Sequence, residues 1–440
     1  MTAWARYMSW TTRGRQSSWG RVVRQFVALA SGEGIARLFG LVATLILARR
    51  LEPSGFGLVT LGITLVGWFG VVVDSGTETL NVRDIARAPD RFREIADRVL
   101  GLRIALAIAT GGLYAIGVAL FAKSGATRSV LLPFALVMPA VALNLRWMVL
   151  GLRQARAIAI GNVVARIAFL IGVVAFVYGH GDVLRVPYLQ AFSELVYGLV
   201  IIAIVARGLG ITRPKVDLAA WKETLRGSLP LMIHGAARSA LVTADLLLID
   251  LMLGPHPLGL YAAASKAPLF FSAAIGLFSV SFLAGFSAAS GEEALAVFAK
   301  ATRILVGTSL VVAVALSAAA PLFVPLVFGH RYDGSVGSAV ILPWILPMMA
   351  LTTPYANALI AGHMQLTLMK NTVVGAVFAV GAGAAAIETV GIKGAAVVRI
   401  ASALLVLALN YRSATSHGLA PRLSEIALFR PRTARARAVG

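Results

Sequence analysis

Twelve charge-poor apolar runs constrain this chain more than any other feature: residues 25–48, 58–78, 99–122, 129–150, 157–178, 187–206, 228–252, 259–288, 304–328, 336–361, 368–387 and 394–411. A spanning helix needs about 20 consecutive apolar residues, because the hydrocarbon core has no water and every backbone N–H and C=O must be bonded inside the segment. The pattern predicts an all-α polytopic membrane protein with twelve transmembrane helices. Composition agrees, since 58% hydrophobic and 13% charged residues at a mean hydropathy of +0.83 are far too apolar for a soluble chain of 440 residues.

The loop charges orient those helices. Of the forty Lys and Arg, 28 fall on one side when the helices alternate, 7 fall on the other, and five lie inside helices. That asymmetry alternates loop by loop and predicts twelve helices with both termini on the cytoplasmic side. The net charge of +21 therefore reads as retention against an anionic leaflet. Nucleic acid is not an expected partner, because the bases punctuate apolar runs and form no hydrated face. At the N-terminus, Arg13, Arg15, Arg21 and Arg24 precede an apolar run, and Ala28-Leu29-Ala30 mimics a cleavage site. The run continues to Ala48, so a retained spanning helix is expected, preceded by an interfacial segment carrying Trp4, Trp10 and Trp19.

Residues 33–59 have an echo. The second copy, residues 234–261, aligns Arg238 with Arg37 and His234 with Glu33, and L-G-P-H-P-L-G-L (253–260) with L-E-P-S-G-F-G-L (51–58). Helices 1 and 7 run in the same direction across the membrane, so the expected repeat is a parallel pseudo-two-fold. The expected organisation is a basic N-terminus (1–24), a six-helix bundle (25–206), a cytoplasmic linker (207–227), a second six-helix bundle (228–411) and a basic tail (412–440).

Catalytic chemistry finds no support. The absence of cysteine excludes disulfides, thiolate metal sites and cysteine nucleophiles. The six histidines show no metal-ligand spacing, and P-loop, nucleophile-elbow and HExxH sequences are missing. The expectation is a protein that is not an enzyme and carries no metal or cofactor.

Several motifs in order, spanning nearly the whole chain, resemble the multidrug/oligosaccharidyl-lipid/polysaccharide (MOP) flippase superfamily, in its polysaccharide-transporter branch of O-antigen and capsule flippases. They are Arg37 followed by Leu51-Glu52-Pro53-Ser54-Gly55-Phe56-Gly57, Asp74-Ser75-Gly76 with Arg83-Asp84-Ile85-Ala86-Arg87, Asp245-Leu246-Leu247-Leu248, Leu253-Gly254-Pro255, Phe328-Gly329-His330-Arg331-Tyr332, Asn371, and Gly391-Ile392-Lys393-Gly394. One departure is the lack of proline in Phe278–Phe286, where the family often has one. The resemblance implies two bundles around a central cavity that move a polyprenyl-pyrophosphate-linked oligosaccharide to the outer leaflet by alternating access. The bilayer, that substrate and the polysaccharide polymerase machinery are the implied partners.

Ionised groups at mid-depth cost about 2.5–3.5 kcal/mol on insertion scales, so they pair or face a wet cavity. Arg37, Arg166 and Arg238 sit near the middle of helices 1, 5 and 7, and a guanidinium fork suits phosphate oxygens. Their alternative role is ion pairing with Glu33, Glu194, Asp245 and Asp250. Lys266 and Arg399 lie in the outer third of their helices, where they either snorkel or contact substrate on the product side. Glu33, Asp245 and Glu194 are the candidates for an H+ or Na+ coupling site, with charge balance as the alternative. Arg83 and Arg87 at the cytoplasmic mouth either recruit an anionic headgroup or hold the loop inside. A cation-coupled drug exporter of the same superfamily is the competing function, although three mid-depth arginines count against it. A membrane glycosyltransferase or polymerase would carry long outward loops, and all of these are short. A non-transporting scaffold would bury arginines with no ligand.

Overall fold

The computed structural model describes residues 18–122, 124–152, 154–209, 214–288 and 291–428. The expected interfacial N-terminus up to residue 17, residues 210–213 of the linker and residues 429–440 of the tail lie outside the described residues.

The described chain is helical almost throughout, with no strand among the described residues. The first helix, α1 (Ser18–Asp74), is 57 residues long and departs from helical geometry at Glu52, with φ 61 and ψ 171. The sequence predicts a connection of nine residues there, 49–57. A single bend suffices because Pro53 lacks an N–H and bars its predecessor from α geometry, which concentrates the whole change on Glu52. The corresponding position of the second copy is Gly254, with φ 91, between α9 (Leu218–Leu253) and α10 (Pro255–Ala288). Both copies thus place positive φ immediately before proline.

Between α1 and α9 come α2 (Thr77–Arg87), α3 (Phe92–Phe121), the short helices α4 (Gly125–Leu131), α5 (Val137–Ala142) and α6 (Arg146–Gly151), α7 (Ala155–Phe176) and α8 (Val186–Leu209). After α10 come α11 (Gly291–Phe328), α12 (Val336–Ile341), α13 (Ile345–Ala361), α14 (Gln365–Val390), α15 (Ile392–Ser416) and α16 (Leu423–Leu428). Two expected single helices, 129–150 and 336–361, are instead broken. In each, a Leu-Pro pair opens a 3-10 turn, Leu132–Leu136 and Leu342–Trp344, because proline cannot donate to the preceding turn. The segment Phe278–Phe286 is uninterrupted helix within α10, whose internal proline is Pro268.

Nine segments among the described residues are long and apolar enough to cross a membrane: Gly32–Asp74, Phe92–Phe121, Gly125–Gly151, Arg156–Phe176, His180–Val205, Phe298–Phe328, His330–Ala361, Gln365–Val390 and Ile392–Ser416. Large apolar side chains stand exposed along them, among them Ile108, Leu120, Val311, Leu322 and Val377. Such a surface would aggregate in water and is what lipid tails solvate.

The chain divides into two compact units. The first comprises residues up to Ser239 together with Leu253–Ala262, and the second comprises Ala240–Met252 and residues from Ala263 onward. In the first, α1 packs along α7, and a Cβ on Gly32 would overlap the Ala159 side chain. Small residues drive helix association in lipid because they let backbones approach closely. Trp147, Ile85, Phe92, Tyr197 and Ile201 form its core. In the second unit, Tyr355 stacks edge-on with Phe298 at 5.2 Å and with Tyr411 at 5.3 Å. There α14 joins α15 through Asn371 Nδ2, which donates to Asn410 Oδ1 at 2.9 Å.

Candidate functional site

The first unit assembles a charged cluster from three helices. On α1, Arg37 Nη2 donates to Glu33 Oε1 at 3.2 Å, one helical turn away. The other carboxylate oxygen of Glu33 accepts from Asn162 Nδ2 of α7 at 3.0 Å. One turn along α7, Arg166 Nη2 lies 3.9 Å from Glu194 Oε1 of α8, and Gln190 Nε2 donates to the same oxygen at 3.2 Å. Ser193 Oγ donates to the Ala165 carbonyl at 2.9 Å and fixes α8 against α7. The sequence folds this way because every member belongs to an i, i+4 pair, which stacks both groups on one helix face.

The cluster is directional. Arg37 and Arg166 leave 44% and 40% of their side chains exposed, whereas Glu33 and Glu194 expose 25% and 20%. A Cβ on Gly40 would lie 3.8 Å from Arg166 Cδ, so the Arg166 stem passes over α1 one turn beyond Arg37. Two guanidinium groups therefore share the α1–α7 seam, each backed by a less exposed carboxylate and an amide. The carboxylates offset the repulsion between the arginines, and most of the ten guanidinium N–H donors remain open.

The remaining candidates are dispersed. Arg238 is exposed on α9, one turn from His234, whose Nδ1 is buried without a hydrogen-bond partner among the described residues. In the second unit Asp245 pairs with Arg399 at 2.8 Å, with only 14% and 13% of the two side chains exposed. The sequence offered Asp245 as a balance for Arg238 and placed Arg399 near a helix end free to snorkel. The structure joins Asp245 and Arg399 in one largely buried ion pair instead. Lys266 is half-buried on α10. Arg83 is exposed and bonded to its neighbour Asp84 at 2.9 Å, and Arg87 is exposed at the end of α2.

Sequence reasoning missed a second cluster. Arg103 counts among the cytoplasmic loop charges in the sequence, yet it is buried on α3, bonded to Asp74 and, at 2.8 Å, to the Asn144 carbonyl. Beside it Glu78 lies 3.6 Å from Arg146. Burial pushes the Glu78 carboxyl above the usual range, and the charge of Arg146 opposes that shift. Asn162 and Gln190 were missed as well. Their only sequence signal is the four-residue spacing to Arg166 and Glu194. No group of three His, Asp or Glu among the described residues could hold a metal ion.

Comparison with curated proteins gives no match. Solved structures share the fold. One is an inward-facing multidrug resistance MATE family transporter of the MOP superfamily, 16% identical with a TM-score of 0.71 over 87% of this chain and 95% of that one. A second is the lipid II flippase MurJ in an inward closed conformation, 12% identical with a TM-score of 0.70 over 88% and 87%. A third is a MOP superfamily transporter from Pyrococcus furiosus, 16% identical with a TM-score of 0.61 over 93% and 96%. The family model described as polysaccharide biosynthesis protein matches residues 22–281, more than half of the sequence. The chain thus belongs to the polysaccharide biosynthesis protein family of the MOP flippase superfamily.

Proposed function

We propose that the protein flips a polyprenyl-pyrophosphate-linked oligosaccharide, a repeat unit of O-antigen, capsule or exopolysaccharide, to the outer leaflet of a bacterial inner membrane by alternating access. The observation that carries this reading is the pair of outward-turned guanidinium groups, Arg37 and Arg166, backed by Glu33 and Glu194 inside membrane-crossing helices. A charge at that depth is tolerated where it meets water or a counter-ion. The open donors of two adjacent planar forks match the oxygens of a diphosphate better than those of a cationic drug. Arg238 supplies a third cation from the second copy of the repeat. Lys266 acts on the product side, and Arg83 and Arg87 draw the anionic headgroup to the cytoplasmic entrance.

The same reading takes the molecule as twelve helices in two bundles, residues 25–206 and 228–411, with both termini cytoplasmic. Support comes from the first segment, whose 43 residues bent at Glu52 suffice for two crossings, and from α9 and α10, which at 36 and 34 residues are long enough to span. The shared positive φ before Pro53 and Pro255, and the two Leu-Pro breaks, support the parallel repeat. Coupling to H+ or Na+, where it operates, falls to Glu33 and Glu194. Asp245 is neutralised by Arg399 and keeps a structural role.

The test is accumulation of lipid-linked intermediates in a deletion strain complemented by variants at matched expression. Arg37→Ala and Arg166→Ala each remove charged hydrogen bonds of about 1.5–3 kcal/mol, predicting roughly a 10- to 100-fold loss of flipping. Wild-type rescue by both variants removes the diphosphate assignment. Under imposed proton or sodium gradients, Glu33→Gln is expected to blunt the gradient dependence.

A further inference from the structure

Tyr197 of α8 stands between the two charged clusters of the first unit. On one side, Glu194 lies three residues back on the same face of α8, bonded to Gln190. The Tyr197 ring rests on α7, where a Cβ on Gly161 would come within 3.1 Å of it, and the next residue of α7 is Asn162, which holds Glu33. On the other side, α8 passes the end of α5, where a Cβ on Gly198 would lie 3.2 Å from Leu143. The next residue there is Asn144, whose carbonyl accepts from Arg103 and whose Oδ1 accepts from the Arg146 backbone N–H at 3.0 Å. Arg146 in turn lies 3.6 Å from Glu78, which keeps 38% of its side chain exposed.

Tyr197 is 4% exposed, and its hydroxyl has no hydrogen-bond partner among the described residues. It lies within electrostatic range of Arg146, Glu78, Glu194 and Glu33. Phenylalanine would serve packing better, because an unbonded buried hydroxyl carries a desolvation cost that nothing offsets. Between carboxylates the hydroxyl has a different use: it donates one hydrogen bond while accepting another, which is what passing a proton needs. Each end acid faces an arginine, Arg166 at Glu194 and Arg146 at Glu78, and Asp74 beside Glu78 is paired with Arg103.

We propose that Tyr197 relays protons between the Glu33–Glu194 cluster and Glu78, the acid through which the first unit exchanges protons with water at its cytoplasmic end. The Glu194 carboxyl gives its proton to the Tyr197 oxygen as the Tyr197 O–H proton passes to the Glu78 carboxylate, directly or through one water, and the hydroxyl then swings back. One proton moves and no electrons do. The proposal rests on the coupling role given above to Glu33 and Glu194, and its test keeps the two apart.

Tyr197→Phe keeps the ring on Gly161 and removes only the hydroxyl. Wild type, Tyr197→Phe, Glu78→Gln and the double variant, reconstituted whole with a trapped pH indicator, are compared in flipping a pyrophosphate-linked oligosaccharide with and without an imposed pH gradient. Gradient stimulation and the accompanying proton movement are expected to fall at least tenfold in each single variant and no further in the double, with the thermal midpoint of Tyr197→Phe unchanged. Stimulation kept within twofold by Tyr197→Phe, or losses that multiply in the double variant, overturn the relay and leave the coupling acids in place. Wild-type flipping that ignores the pH gradient overturns the relay together with proton coupling at Glu33 and Glu194. A second arm needs no substrate. After a pH jump in detergent, the infrared carboxyl band that Glu194→Gln removes is expected to respond at least tenfold more slowly in Tyr197→Phe, and equal rates overturn the relay whether or not the oligosaccharide is flipped.

Discussion

At the scale of single residues, Glu52 is the most exposed to test. Its φ of 61 and ψ of 171 fall in a region essentially reserved for glycine, where other residues carry about 1–3 kcal/mol of strain. The second copy has Gly254 at that position. Glu52→Gly is expected to raise the thermal midpoint in detergent by a few degrees, while Glu52→Ala leaves the strain in place; a thermal-shift series separates them. Glu78 gives a pH signature. Its carboxyl is held above the ordinary value by burial, so its contribution to stability is complete below about pH 4.5 and is lost as pH rises through the raised value. Glu78→Gln should flatten that part of the stability–pH curve, and an unchanged curve would contradict the assignment. Arg37, Glu33, Arg166 and Glu194 were legible because a charge inside an apolar run costs too much to be idle. Asn162 and Gln190 were not legible, since neutral amides in a helix carry no such penalty signal, and only the fold shows which carboxylate they serve.

At the scale of elements, Arg50, Arg128 and Arg185, in the connections between apolar runs, act as helix caps. Arg50 Nη1 reaches the carbonyls of Val173 at 3.2 Å, Val174 at 3.1 Å and Val177, and its guanidinium lies 5.7 Å from the Tyr178 ring centroid. Arg185 Nη1 donates to the Phe176 carbonyl at 2.7 Å, and Arg128 Nη2 to the Ala119 carbonyl at 2.8 Å. These groups satisfy the last carbonyls of α7 and α3 and oppose their negative dipole ends. Charge counting alone reads them as noise against the positive-inside rule. Arg50→Gln is expected to cost about 1–2 kcal/mol, measured as a shift in unfolding midpoint, with partial recovery in Arg50→Lys. The element boundaries that the sequence missed have one cause. Hydropathy averages over a window, so it bridges the proline breaks at Leu132–Leu136 and Leu342–Trp344 and overlooks that a lone Pro53 can bend a helix without ending it.

At the scale of the whole molecule, the all-helical membrane class and the superfamily follow from apolar run length and motif order. Neither depends on any one residue. What such averages do not carry is pairing over distance. Asp245 meets Arg399 154 positions away, and Arg103, which the loop count assigned to water, meets Asp74 29 positions away. The central claim is that Arg37 and Arg166 hold a diphosphate headgroup during translocation. Its most direct test is a proteoliposome flipping assay comparing wild type, Arg37→Ala/Arg166→Ala and Arg37→Lys/Arg166→Lys on a pyrophosphate-linked oligosaccharide and on the same oligosaccharide carried by a monophosphate. The account predicts that wild type favours the pyrophosphate carrier at least tenfold, that the alanine pair loses the preference, and that the lysine pair keeps part of it. Equal preference in wild type and the alanine pair would contradict it.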